Sequence, residues 1–207
     1  MEVVKVVVGP LATNSYIVCK NDECIVVDPG DGGEKLLRAL GRRSLVSIVA
    51  THLHFDHVGA VAHLVEATGV PFYAHPADWR IYKELNEVAV EWGFEVPTLP
   101  QPRNPGSRLW LFDVLHTPGH TPGSISLLGG GVVFTGDTLF RMSVGRTDLP
   151  YGNWEELMRS VCRLYQLPSD FVVHPGHGPP TSIGDEATGN PFINSGVCDG
   201  GLQSNNY

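Results

Sequence analysis

Val46-Ser47-Ile48-Val49-Ala50-Thr51-His52-Leu53-His54-Phe55-Asp56-His57-Val58-Gly59-Ala60-Val61 decides how the rest of this chain is read. Residues 46–50 are an apolar, β-branched run with the length of a buried strand, and 56–68 carry the spacing of a helix. Between the two, His52, His54, Asp56 and His57 place three imidazoles and a carboxylate in six residues. These ligand types suit zinc, iron and manganese, and no thiolate stands nearby. His52 and His54 are two apart in extended chain, so both point to one side. Asp56 and His57 are neighbours at a helix start and diverge by about 100°. The spacing therefore favours two adjacent metal sites, with one pair of ligands serving each. A lone loop histidine is more often a surface or core residue, but this cluster reads as metal-binding.

Working outward, three later segments repeat one pattern: a strand end, a turn and a strong ligand. Thr117-Pro118-Gly119-His120-Thr121-Pro122-Gly123-Ser124 fixes His120 in a tight loop. Val132-Val133-Phe134-Thr135-Gly136-Asp137-Thr138 ends an apolar strand at Gly136 and projects Asp137. Phe171-Val172-Val173-His174-Pro175-Gly176-His177-Gly178 ends a further strand in a Gly/Pro loop bearing His177. Loops at strand ends converge while the sheet beneath stays rigid, so the four segments are candidates for one site.

His52-x-His54-x-Asp56-His57, followed by His120, Asp137 and His177, resembles the metallo-β-lactamase superfamily from Val3 to about Ile193. Within it, Gly119-His120-Thr121-Pro122-Gly123-Ser124, Gly136-Asp137-Thr138-Leu139-Phe140-Arg141, Gly145-Arg146-Thr147-Asp148 and Pro175-Gly176-His177-Gly178 are most similar to small glyoxalase II-like hydrolases. The resemblance implies an α+β fold arranged as a four-layer αββα sandwich. Periodicity alone gives only a mixed α and β domain. It also implies two divalent metal ions, zinc or else iron or manganese. His52, His54 and His120 would hold one, Asp56, His57 and His177 the other, and Asp137 would bridge them. On that resemblance Asp56 and Asp137 would be the catalytic carboxylates.

The chemistry implied is hydrolysis by a metal-bound hydroxide. Metals lower the pKa of bound water to around 7 and polarise a carbonyl oxygen. A thiolate leaving group needs no general acid, since its pKa is near 8.5. A small-molecule thioester such as S-lactoylglutathione is the expected substrate. The alternatives are a mononuclear iron persulfide dioxygenase of the same fold and a metal-binding scaffold without catalysis. Arg146 has two readings. By resemblance it contacts an anionic part of the substrate; by proximity it pairs with Asp148. The larger glyoxalase II enzymes carry a glutathione-binding tyrosine two residues after the basic residue, where this chain has Asp148. They also have a basic C-terminal helical domain, and nothing after His177 is long or basic enough to match it.

His63, His75, His116 and His174 lie outside the ligand pattern and read as helix-surface, core or supporting groups. Tyr16 reads as a sheet residue packed beneath the site. Cys19 and Cys24 flank a hairpin turn at Asn21-Asp22 that sets them opposite one another, within disulfide range. A reducing cytosol would leave both free. Cys162 falls in an expected helix and Cys198 in the tail.

The remaining bounds are compositional. A length of 207 residues suits one domain, assigned to residues 1–193. The formal charge of −8 excludes a surface for nucleic acid, which requires clustered Lys and Arg. No apolar run reaches the roughly 20 residues of a membrane span. The N-terminal residues lack the pattern of a signal peptide, so a cytoplasmic location is expected. Strands are expected at 2–8, 14–20, 23–28, 46–50, 71–74, 108–116, 124–128, 131–135 and 170–174. Helices are expected at 33–41, 56–68, 76–92 and 153–166. Residues 194–207, rich in Gly, Ser and Asn, are expected to be disordered. The oligomeric state is left open.

Overall fold

Alternation along the strands builds two sheets with a shared face. A computed structural model describes residues 1–201. The first sheet runs β1 (Glu2–Val8), β2 (Thr13–Lys20), β3 (Glu23–Val27), β4 (Ser44–Val49) and β5 (Phe72–Tyr73), in that order. β1 to β3 pair antiparallel; β3, β4 and β5 pair parallel. The second contains β6 (Arg108–Leu109), β7 (Phe112–His116), β8 (Ile125–Gly129) and β9 (Val132–Gly136), then β12 (Val172–Pro175) and β13 (Thr181–Ser182) beyond β9. β10 (Leu139–Phe140) and β11 (Ser143–Val144) form a separate hairpin over the site, which the sequence reading did not foresee.

Successive residues of β3 serve different cores. Cys24 and Val26 pack toward the helices α1 (Gly33–Leu40) and α3 (Val61–Thr68), against Leu36 and Leu64. Ile25 and Val27 pack toward the second sheet, against Phe112, Leu127 and Phe134. On the far face of that sheet, Val133 and Val173 meet Leu157 and Val161 of α7 (Trp154–Leu164) and Ile183 of α8 (Ile183–Gly189). The result is helix, sheet, sheet, helix: the four-layer αββα arrangement. Truncating a fully buried aromatic such as Phe134 in the middle core costs about 3–5 kcal/mol.

Two expected helices are broken. The 56–68 segment divides into α2 (Phe55–Val58) and α3, because Gly59 and Ala60 pack on the loop after β3. A β-carbon at Gly59 would overlap the Gly30 carbonyl, and Ala60 N–H donates to Pro29 O at 2.9 Å. The 76–92 segment is three short helices, α4 (Pro76–Arg80), α5 (Tyr82–Leu85) and α6 (Glu87–Glu91). The expected strand 108–116 is the β6–β7 hairpin, turning at Trp110 with φ 51°. As expected, Asn153 caps α7, accepting from Glu156 N–H at 3.0 Å.

The C-terminal segment differs from the expectation of disorder. Residues 195–201 form α9 (Ser195–Gly201), and Cys198 is buried and disulfide-bonded to Cys162 of α7. Covalent attachment, with Ile193 in the same core, holds a segment that has too little apolar surface to dock by itself. The other expected residues, 202–207, lie outside the described ones. Cys19 and Cys24 stand opposite each other in the hairpin register and are also disulfide-bonded, rather than free. Among the described residues no helix is long and apolar enough to cross a membrane.

Candidate metal centre

All seven residues singled out in the sequence converge at one end of the paired sheets. His52 and His54 follow β4, and Asp56 and His57 lie on α2. His120 sits between β7 and β8, Asp137 follows β9, and His177 follows β12. The sheets are stitched together here. Ile125 N–H donates to Thr51 O at 2.8 Å, and Asn14 N–H to Gly176 O at 2.7 Å. The Asn14 amide also donates to Pro175 O and Gly178 O, each at 2.9 Å, holding the His177 loop against β2.

Three groups of donor atoms each lie within 4.8 Å of one another: His52, His54, His120; His52, His57, Asp137; and Asp56, His57, His177. Asp137 sits between the outer groups. Its Oδ2 is 3.6 Å from both His120 Nε2 and His177 Nε2, and its Oδ1 is 3.4 Å from His57 Nε2. His54 Nδ1 faces His120 Nε2 at 2.9 Å, and His57 Nε2 faces His177 Nε2 at 3.3 Å.

Supporting contacts turn the imidazole lone pairs inward. His120 Nδ1 donates to Arg146 O at 2.8 Å and His177 Nδ1 to Leu11 O at 3.1 Å, which aims each Nε2 at the other donor groups. His52 Nδ1 lies 3.2 Å from Thr51 Oγ1, whose own proton goes to Asp28 Oδ2 at 2.8 Å. His57 Nδ1 is 3.1 Å from Asp28 Oδ2. His52 Nε2 and Asp137 Oδ1 are buried with no hydrogen-bond partner. Such atoms are costly to strand, and divalent cations between the donor groups would satisfy them. The donor set thus fits two metal ions. Gly176 is required by the same crowding, since a β-carbon there would overlap Asp137 Oδ1.

The two halves differ in charge. Burial holds His52 far below the ordinary imidazole value, with His57 and His120 adding to it; burial, then His120, takes His54 down to about 3. Burial also lowers His120. In the other half burial opposes the charged forms, but the partners win. His57 is raised well above its usual value by Asp56, Asp137 and Asp28, and His177 is raised by its bond to Asp56. Burial likewise works against the Asp56 carboxylate, yet His57 and His177 bring it down to about 2; Asp137 is held well below the carboxylate range mainly by His57.

Several supporting residues were not singled out in the sequence. Asp28, in left-handed backbone with φ 50°, accepts Thr51 N–H at 2.6 Å. Thr13 Oγ1 donates to Asp56 Oδ2 at 2.8 Å. Buried Asp78, pushed up to about 6 by burial, accepts from Leu53 N–H, Thr121 Oγ1 and Gly123 N–H, tying two ligand loops together. An aspartate ending an apolar strand before Pro29-Gly30 was the available signal for Asp28.

Of the residues left outside the pattern, His63 is half exposed beside Glu34 on α1. His75 and His116 stack with centroids 4.3 Å apart, and His174 stacks on Phe134 in the middle core. Tyr16 is buried beneath the site, its hydroxyl donating to Pro175 O at 2.7 Å. Arg146 makes both bonds of a bidentate pair with Asp148, at 2.8 and 2.7 Å, and its guanidinium lies 5.7 Å from the Trp92 ring centroid. A cavity of about 410 Å³ opens over the donor groups, reaching from α5 and α6 to Phe140 and Leu149.

Residues 8–177 match the family model of the metallo-beta-lactamase superfamily, and the chain belongs to that superfamily. It is thus a member of a metallo-hydrolase superfamily whose fold typically binds two metals. The chain is 36% identical over 184 residues to hydroxyacylglutathione hydrolase GloC of Haemophilus influenzae, spanning 82% of this chain and 87% of that protein. The crystal structure of TTHA1623 in a di-iron-bound form superposes with a TM-score of 0.85 at 46% identity, covering 92% of this chain and 100% of the other. The crystal structure of ETHE1 from Myxococcus xanthus gives 0.76 at 28% identity, over 94% and 85% of the two chains.

Proposed function

We propose that this protein is a dinuclear metal-dependent hydrolase that cleaves a small-molecule thioester. The observation that carries this reading is the second donor group, Asp56, His57 and His177, complete and adjoining the first across Asp137. His52, His54 and His120 would hold one ion, Asp56, His57 and His177 the other, and Asp137 both. Divalent cations bound there supply a hydroxide nucleophile at neutral pH and a Lewis acid for a carbonyl oxygen.

The chain's own residues orient and confine the reaction. Thr13 engages Asp56 Oδ2, the oxygen that also faces His177 Nε2 at 3.3 Å, so that carboxylate keeps one orientation at the cavity floor. Asp137 is ionised and bonded to no N–H or O–H through Oδ1, which leaves that oxygen free to neutralise cationic charge. The apolar walls limit water around the carbonyl. A departing thiolate needs no acid from the protein and leaves past Arg146 at the mouth. The nitrogen and oxygen donors suit zinc, iron or manganese, and the di-iron form of TTHA1623 supports iron.

The test is an anaerobic assay of the metal-loaded protein with S-lactoylglutathione and a simpler thioester, measuring free thiol. Release of thiol without oxygen is expected. A second reading is a one-iron persulfide dioxygenase of the same fold, which needs two histidines and one carboxylate, a set that His52, His57 and Asp137 also supply. Oxygen uptake with glutathione persulfide and no anaerobic cleavage would establish that reading instead.

A further inference from the structure

The cavity above the donor groups has one wall whose chemistry narrows the substrate. That wall is the broken helix 82–92, which contributes Leu85, Val88, Ala89 and Trp92. Leu85 and Ala89 are buried, whereas the Trp92 ring is half exposed at the rim. Asn86 belongs to the same wall but offers a substrate nothing to donate. Its amide donates to Leu53 O and Tyr82 O, both at 2.9 Å, and its Oδ1 accepts Phe55 N–H at 2.8 Å. Apart from the candidate ligands, the other polar groups lining the cavity are the Trp92 indole N–H at the rim and Arg146, whose Nε and Nη2 are taken by Asp148.

A polar group carried further along the acyl chain would meet these carbons without a partner, which burial penalises, and a short lactoyl group would hardly reach them. A hydrocarbon chain would gain from the same contacts. The volume of about 410 Å³ falls in the size range of pockets that enclose small molecules. Resting on the thioester reading above, we propose that the preferred substrate carries an apolar acyl chain, seated against Leu85, Val88, Ala89 and Trp92. The thiol carrier then extends past Arg146 into solvent.

The test uses the metal-loaded protein, the acetyl, butyryl, hexanoyl and lactoyl thioesters of N-acetylcysteamine, and the acetyl esters of alkyl thiols of increasing length. Burial raises kcat/KM by about fourfold per added methylene, so hexanoyl exceeds butyryl by on the order of tenfold. Lactoyl falls below butyryl. Val88→Asp and Trp92→Ala flatten the series. A readout independent of turnover is calorimetric binding of thioethers in which a methylene replaces the thioester carbonyl, with the same length dependence expected. Cleavage that is indifferent to chain length, or that favours lactoyl, overturns the apolar acyl assignment while the thioester reading stands. Length dependence confined to acetyl esters of alkyl thiols overturns it too, moving the apolar arm to the carrier side. Cleavage of no thioester overturns the thioester reading itself, and this inference with it.

Discussion

The two halves of the candidate metal centre use different physics to prepare for a cation. His52, His54 and His120 are buried, and burial keeps all three imidazoles neutral with lone pairs available. Asp56, His57 and His177 stand among the carboxylates of Asp28, Asp56 and Asp137, which draw protons onto both imidazoles. The first half is a ready nitrogen pocket. The second must exchange protons for metal, so its occupancy depends on pH and on the carboxylates that orient it. Asp137 belongs to both, which makes the halves separable only by changes elsewhere.

The largest effect expected is therefore from Asp137→Ala, which should lose both ions and activity together. The drop should exceed the roughly 10–100-fold typical of a supporting partner. Elemental analysis that still finds two ions per chain would refute the shared role. His177→Ala should separate the halves instead, retaining the ion of the His52 group and losing the other.

Asp28→Asn sharpens the comparison from outside the donor set. Asp28 serves His57 directly and Thr51 through two bonds, so the second half should lose about 10–100-fold in metal affinity and the first half less. Competition with a chelator measures this. Equal weakening of both halves would show that Asp28 braces the loop rather than the imidazole.

The pH response should be smaller but specific. Raised values for His57 and His177 mean that these rings hold protons which the second ion must displace. Affinity there should rise with pH by about tenfold per unit for each proton displaced, until the raised values are passed. The first half should change little between about pH 6 and about pH 8, since its imidazoles are already neutral. Calorimetric titration in buffers of differing ionisation enthalpy counts the protons. Smallest of all, His63→Ala should leave the metal content unaltered, as its ring sits beside Glu34 on the helical layer.

Much of the donor set was readable in sequence because His52, His54, Asp56 and His57 crowd into six residues, and His120, Asp137 and His177 each stand beside glycine in a turn near a strand end. The supporting residues were harder to see because their partners are distant in the chain. Asp28 reads as a turn residue until Thr51 and His57 are beside it, and Asp78 until the His52 and His120 loops meet over it. Most strands of both sheets were legible as apolar runs, but not β13, a polar two-residue strand that exists by pairing with β12. The division of 56–68 was not, because it depends on Gly59 meeting the Gly30 backbone. Nor was α9, whose glycine-rich residues are held by Cys198 bonding to Cys162, 36 positions earlier. Arg146 remained ambiguous in sequence since its backbone and side chain do different things. The carbonyl orients His120, and the guanidinium pairs with Asp148 under Trp92.

The most direct test of the two-half account is a crystal structure of the metal-loaded protein with anomalous scattering recorded at the metal edge. Two peaks are predicted, one among His52, His54 and His120 and one among Asp56, His57 and His177, about 3.5–4 Å apart with Asp137 between them. A single fully occupied peak in the His52 group, with Asp56 and His177 turned away from it in protein saturated with metal, would contradict the account.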